Sequence, residues 1–307
     1  MVSPEGGVFG RLGCWQARNR ACQFELSQVM PVVETTAMGD SSRRLLSDRA
    51  SQYAFFGVSA LALATSAAGT IVWCASMSAM GEMSMPGGWT MSMVWMRMPG
   101  QTWLAAGASF VGMWVVMMVA MMLPCLVPMQ WRYRKAVAST GSGRLGLLTA
   151  LVGVGYFFVW AMFGMIAFPV GVALAAVETQ QAPLARAIPL AIGVVVLSAG
   201  TLQLTAWKAR QLACCRAAPG RGPALSGDVG TAWRYGLHLG LRCSACCAAP
   251  TAILLVVGVM DLRVMAVVTA ATTLERLAPG GQHVARAIGV LVVGAGMLLI
   301  AQAAGLV

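Results

Sequence analysis

Long apolar stretches without a charged residue alternate with short charged segments along most of the chain. A helix of about 20 such residues crosses roughly 30 Å of hydrocarbon, and several of the stretches exceed that length. They predict an all-α protein, a polytopic bundle of about seven transmembrane spans. The predicted spans are 53–76, 103–127, 147–176, 187–207, 236–259, 262–278 and 284–305. Segment 262–278 has the shortest uncharged stretch, and the number of spans becomes six if this segment is re-entrant.

Composition supports a membrane protein. The chain is 58% hydrophobic and 10% charged, with a mean hydropathy of +0.74, which excludes an ordinary soluble domain. Residues 1–48 are instead polar and basic, and we expect them to be disordered beside a single transmembrane domain at 49–307. The stretch from Met38 resembles a translation start, which would make residues 1–37 an upstream extension.

The net charge is +11, and the distribution of the basic residues indicates the orientation of the chain in the membrane rather than nucleic-acid binding. If the N-terminus is inside, the loops that face outside hold few basic residues, namely Arg97, Arg186 and Arg263. The inside segments hold many more, including Arg132, Lys135, Lys208, Arg216 and Arg234. This asymmetry follows the positive-inside rule and predicts an inside N-terminus and an outside C-terminus.

Three cysteines lie within the predicted span 236–259. Cys243, Cys246 and Cys247 follow an i, i+3, i+4 spacing, which places them on one helix face. Thiolates are soft ligands that select Cu(I) and similar ions. Gly236 and Gly240 in the same span predict close approach by another helix. Another two cysteines, 214 and 215, are expected in an inside loop.

Sulfur also lines the second predicted span. Side chains at four-residue spacing form a stripe of Met113, Met117, Met121 and Cys125, which Met118 and Met122 widen. A methionine stripe commonly packs a core, but the terminal cysteine favours a ligand role. Spans 103–127 and 236–259 run in opposite directions, so the two sulfur groups reach a similar depth. We therefore predict a metal site formed by Cys243, Cys246, Cys247, Cys125, Met121, Met122, Met117 and Met118.

The predicted outside loop between the first two spans is rich in methionine. Its residues Met77, Met80, Met83, Met85, Met91, Met93, Met96 and Met98 stand among glycine and serine, with no core to fill. Thioethers bind Cu(I) without losing a proton, so the loop could gather metal ions. The alternatives are compositional drift and an amphipathic surface helix.

Charged residues flank the cysteines near the predicted cytoplasmic face. Arg242 adjoins Cys243, and Glu275 ends the sixth predicted span, so we expect these two charges to pair. The pair is either structural or functional, in which case Arg242 lowers the pKa of the neighbouring thiols. His238 is a possible accessory ligand, although an interfacial histidine is more often a hydrogen-bonded surface group.

Two blocks resemble the bacterial family of predicted metal-binding integral membrane proteins, which carry a domain of unknown function (2182). The first runs from Trp114 to Pro128, and the second comprises Gly240, Cys243, Cys246, Cys247, Gly258, Met260, Glu275, Arg276, Pro279 and Gly280. The resemblance implies a multi-pass protein of the bacterial cytoplasmic (inner) membrane with a role linked to a metal.

These features favour a protein that binds Cu(I) for transport or for delivery to a partner, such as a periplasmic or cytosolic metal-carrying protein. The sequence contains no nucleotide-binding motif, so we expect no nucleotide cofactor and no ATP-driven pumping, and we favour a binding protein over an enzyme. One alternative is a transmembrane thiol–disulfide redox protein that uses Cys243 and Cys246. Another is an assembly scaffold whose thiols are structural.

Overall fold

The computed structural model describes residues 40–79, 83–84, 90–91, 95, 97, 100–138, 144–216 and 227–306. The chain divides into two compact units, Met1–Phe55 and Phe56–Val307. In the first unit the described residues are helical, and this helix begins at Asp40, inside the segment predicted to be disordered. All the sites discussed below lie in the second unit.

The described residues are almost entirely helical, which confirms the all-α class. The elements in chain order are α1 (Asp40–Ala79), β1 (Met83–Ser84), β2 (Thr90–Met91), α2 (Trp103–Ala138), α3 (Leu145–Gln180), α4 (Ala182–Leu204), α5 (Ala206–Arg216), α6 (Val229–Val257), α7 (Leu262–Leu277) and α8 (Gly281–Ala303). The two short strands pair antiparallel, with Met83 opposite Met91 and Ser84 opposite Thr90.

Six of these helices are long and apolar enough to cross a membrane: α1, α2, α3, α4, α6 and α8. The predicted span at 262–278 corresponds to α7, which has 16 residues and measures about 24 Å. That length is short of the roughly 30 Å of a hydrocarbon core. The structure therefore supports six span-capable helices, with α7 as a shorter helix packed among them.

A break at Thr205, inside the fourth predicted span, separates α4 from a further helix, α5. Thr205 is extended, at φ −74° and ψ 152°, and its backbone N–H bonds to Leu202 O. Its hydroxyl accepts a hydrogen bond from the Lys208 backbone N–H at 3.3 Å, as an N-terminal cap does. The segment predicted to be a cytoplasmic loop is thus partly a helix, which packs against α6 and buries Lys208.

Helix α3 packs closely against α6 at two glycines of α6. A β-carbon at Gly236 would lie 3.0 Å from Val152 Cα, and one at Gly240 would lie 2.9 Å from Tyr156 O. Because neither position has room for a side chain, the two helices approach to backbone contact. The predicted close approach at Gly236 and Gly240 is confirmed, and α3 is the helix that makes it.

Candidate metal centre

The cysteines of α6 face the interior of the bundle together with two cysteines from other helices. Cys243, Cys246 and Cys247 are each at most 2% exposed. Cys125 of α2 and Cys215 of α5 are buried as well. We call these five residues the thiol cluster. All of the cysteines in the described residues are free thiols.

Thiol–thiol contacts connect the cluster. Cys247 lies within hydrogen-bonding reach of both Cys243 and Cys246, and Cys246 contacts Cys215. The Cys215 thiol also donates to the Arg242 carbonyl oxygen at 3.2 Å. This contact with Cys246, together with burial, raises the pKa of Cys215, so Cys215 stays a neutral thiol. Cys215 was expected in a loop, and the structure places it in the cluster.

Cys125 lies at the edge of the cluster, against α7. Its sulfur is 3.8 Å from the Thr272 carbonyl oxygen and 3.7 Å from the Thr273 hydroxyl. Pro124 and Pro128 lie within α2, which remains helical through both. Cys125 is also near enough to Cys243 and Cys246 to interact with them electrostatically.

A tyrosine from α3 contacts the first cysteine of the triplet. Tyr156 is 1% exposed, and its hydroxyl lies 2.7 Å from Cys243 Sγ. The contact depends on the glycine packing described above, because Gly240 lets the Tyr156 backbone approach α6. Sequence analysis did not identify Tyr156, which lies in an apolar span far from the cysteines along the chain.

An arginine from α7 reaches into the thiol cluster. Arg276 Nη2 lies 3.6 Å from Cys247 Sγ, 3.9 Å from Cys215 Sγ and 3.5 Å from the Cys243 carbonyl oxygen. The residue is 9% exposed, and its Nε has no hydrogen-bond partner in the described part of the chain. A guanidinium group thus stands where a negative charge on sulfur would be stabilised.

The predicted pair of Arg242 with Glu275 is wrong. Glu275 Oε2 forms a buried ion pair with Lys208 Nζ at 2.7 Å, and Gln203 Nε2 donates to Glu275 Oε1 at 2.6 Å. Lys208 Nζ also donates to the Cys246 carbonyl oxygen at 2.8 Å. Arg242 is exposed, because neighbouring helix residues point about 100° apart and Cys243 faces the interior.

The predicted accessory ligand His238 is also exposed on α6. The other histidine of the chain, His283, is exposed at the start of α8. The buried thiols are therefore surrounded by sulfur, hydroxyl and cationic groups rather than by imidazole.

The methionines of the second span pack into the same hydrophobic core as the cysteines. Met117, Met118, Met121 and Met122 are each at most 3% exposed and share a core cluster with Cys243 and Cys247. Trp114 and Trp160 belong to the same cluster, and Trp114 Nε1 donates to the Trp160 carbonyl oxygen at 2.9 Å. These thioethers fill a core and at the same time lie beside the thiols.

The methionine-rich loop is described only in part. Met77 is partly buried and packs against the hydrophobic core. Met83 and Met91 lie in the paired strands. The remaining positions proposed to gather metal lie outside the described residues, namely Met80, Met85, Met93, Met96 and Met98. Metal gathering by this loop stays a prediction.

The donor set suits a soft ion. Within the described residues, no three His, Cys, Asp or Glu side chains already have the arrangement of a metal site. The thiols contact one another instead. Buried thiols flanked by thioethers and a guanidinium group match Cu(I) better than ions that prefer oxygen ligands.

A family model described as copper chaperone, PpoB2, matches residues 111–299. The chain belongs to this family. The matched region runs from α2 into α8 and includes the whole thiol cluster, Arg276 and the Lys208–Glu275 pair. No curated protein and no solved structure matches the chain. The PpoB2 match confirms the copper-related function that the sulfur residues predicted.

Proposed function

We propose that this protein binds Cu(I) as cargo in the thiol cluster and delivers it to a partner protein. The observation that carries the proposal is the contact among four buried cysteines of α5 and α6, with the buried Cys125 of α2 near enough to interact electrostatically with Cys243 and Cys246. Copper handling is the activity described for the PpoB2 family. Thiolates and thioethers are the ligands that select Cu(I).

Cys243, Cys246 and Cys247 are the proposed principal ligands, with Cys125 completing the site. Their i, i+3, i+4 spacing on α6 directs three sulfurs to one side of the helix. Met117, Met118, Met121 and Met122 border the site and supply weaker thioether contacts along α2. Such contacts would let an ion move along the core without a large change in its ligand chemistry.

The proposed setting is the bacterial cytoplasmic membrane, with the N-terminus inside. Six span-capable helices support embedding in a bilayer. The excess of Lys and Arg in the predicted inside segments supports the orientation. The receiving partner would be a periplasmic or cytosolic metal-carrying protein. Because the thiols are almost fully buried, loading and release require the helices to separate locally.

The redox alternative predicts a different chemistry at the same cysteines. Thiol–disulfide exchange needs an accessible sulfur for the attack by a second thiol, whereas Cys243 and Cys246 are at most 2% exposed. Burial therefore favours the binding of a small ion over exchange with a protein thiol. The scaffold alternative predicts that the cysteines affect stability only.

Elemental analysis of the purified chain tests the proposal. The full chain in detergent is loaded with Cu(I) under reducing conditions, freed of excess ion and measured for copper per protein. We expect the triple variant Cys243→Ala, Cys246→Ala, Cys247→Ala to lose most of the bound copper. The matched control is Cys74→Ala, because Cys74 is another buried cysteine and contacts Met260 instead, at 3.8 Å.

Equal copper in the wild type and the triple variant would overturn the site. Copper-free wild-type protein with a reversible Cys243–Cys246 disulfide would support the redox alternative. Copper-free protein that is merely destabilised by the triple substitution would support the scaffold.

A further inference from the structure

Arg276 is a buried cation for which the described residues provide no carboxylate partner. Its Nη2 contacts are two sulfurs and a carbonyl oxygen, and its Nε is unpaired. The ion pair recorded in this region joins Lys208 and Glu275 and leaves Arg276 out. Arginine keeps its charge at any pH at which a protein is folded. Such a charge is costly to bury without compensation.

The neighbouring acid cannot supply that compensation. Glu275 adjoins Arg276 on α7, but their side chains leave the helix about 100° apart. Glu275 points to Lys208 and Gln203, which occupy both of its oxygens. Lys208 and Glu275 neutralise each other. Of the three buried charges, the guanidinium group of Arg276 therefore remains without a countercharge, and it faces the thiol cluster.

A loaded cluster would supply the missing negative charge. A Cu(I) ion held by two thiolates carries one net negative charge, because two sulfur charges exceed the single charge of the ion. Cys247 Sγ already lies 3.6 Å from the guanidinium group. Hydrogen bonds between ionised groups are roughly twice as strong as those between neutral groups.

We propose that Arg276 is the positioning residue that holds an anionic copper–thiolate complex, as its fixed countercharge. The inference rests on the proposed function and adds a role for a residue outside the ligand set. According to this inference, the buried charge of Arg276 destabilises the empty protein and stabilises the copper-loaded protein. A structural arginine would show the opposite pattern, since it would stabilise the empty protein.

Three substitutions at this position separate the two roles. Arg276→Gln removes the charge, Arg276→Lys keeps it, and Arg276→Met replaces it by an apolar side chain. The control is Arg132→Gln, because Arg132 also donates to a carbonyl oxygen, that of Arg216 at 3.1 Å, but is exposed. The full chain in detergent is titrated with Cu(I) against a chromophoric Cu(I) chelator. Thermal unfolding is recorded with and without Cu(I).

We expect Arg276→Gln to weaken Cu(I) binding by about tenfold or more, equivalent to about 1.4 kcal/mol, and Arg276→Lys to recover most of the affinity. Empty Arg276→Met protein should unfold at or above the wild-type temperature, with a smaller shift on adding Cu(I).

Unchanged affinity in Arg276→Gln would overturn the inference and leave the proposed function standing. A large loss of stability in the empty Met and Gln variants, with the copper shift retained, would show a structural role. Wild-type protein that does not compete for Cu(I) would overturn both proposals.

Discussion

The α4–α8 pair and the region around the thiol cluster differ in how their helices are joined. Along α4 and α8, glycines bring the backbones together: a β-carbon at Gly200 would lie 2.7 Å from the Val293 backbone nitrogen, and one at Gly296 would lie 2.6 Å from that of Leu197. Around the thiol cluster, long polar side chains from α3, α5 and α7 reach across to α6. The α4–α8 interface depends on the absence of side chains, whereas the thiol cluster adds polar side-chain contacts to the glycine packing of α3 against α6.

The contrast distinguishes helix contacts that stabilise the fold from side chains that are proposed to serve copper binding. Small residues give helices in a bilayer the close contact that water-driven burial cannot provide. Buried charges and thiols add little stability, and a protein that keeps them at membrane depth generally uses them. Substitutions at the glycines between α4 and α8 should therefore change stability without changing copper affinity, whereas those at Arg276 should change affinity first.

The largest expected effect comes from the buried ion pair beside the cluster. Lys208→Ala leaves Glu275 charged and unpaired, and we expect a loss of about 3–5 kcal/mol in the free energy of unfolding. The double variant Lys208→Met, Glu275→Leu should recover most of it, since an apolar pair leaves no uncompensated charge. Stability in detergent is the measurement.

Arg242→Ala is the control for the ion pair, because Arg242 is exposed and was the partner that the sequence suggested. Its effect should be small and additive with that of Glu275→Leu. Coupling between Arg242 and Glu275, together with additivity between Lys208 and Glu275, would restore the pairing predicted from sequence.

An intermediate effect is expected where α8 packs on α4. In Gly296→Ala the added carbon would lie 2.7 Å from Leu197 Cα, and overpacking of this kind costs about 1–3 kcal/mol. Gly294→Ala is the matched control on the same helix, because nothing lies within 4 Å of its added carbon. Equal unfolding temperatures for the two variants would remove the contrast between the regions. Copper affinity should stay at the wild-type value in both.

The smallest effect concerns the hydroxyl beside Cys243. Tyr156→Phe removes one buried hydrogen bond, and we expect a loss of about 0.5–1.5 kcal/mol in stability. Tyr133→Phe is the control, since the buried Tyr133 hydroxyl has no hydrogen-bond partner in the described residues and its removal should be neutral or stabilising. An unchanged stability in Tyr156→Phe would show that the Tyr156–Cys243 contact does not stabilise the fold.

Sequence periodicity predicted the helical class and the depth shared by the α6 cysteines, Cys125 and the methionines, because these depend on local pattern. It failed where a contact depends on tertiary packing. Lys208 follows a long apolar run and therefore resembled the first charge of a loop, and nothing in the local pattern marked the break at Thr205. Arg242 adjoins Cys243 in sequence but leaves the helix on another side, whereas Arg276 lies 29 residues from Cys247 along the chain and reaches its thiol.

X-ray absorption spectroscopy at the copper edge of Cu(I)-loaded protein tests the central claim most directly, because it identifies the ligand atoms. The thiol cluster predicts sulfur neighbours alone, and loss of that signal in the Cys243, Cys246, Cys247 triple Ala variant but not in Cys74→Ala. Nitrogen or oxygen neighbours in the wild type, or an unchanged sulfur signal in the triple variant, would contradict a copper site built on the α6 cysteines.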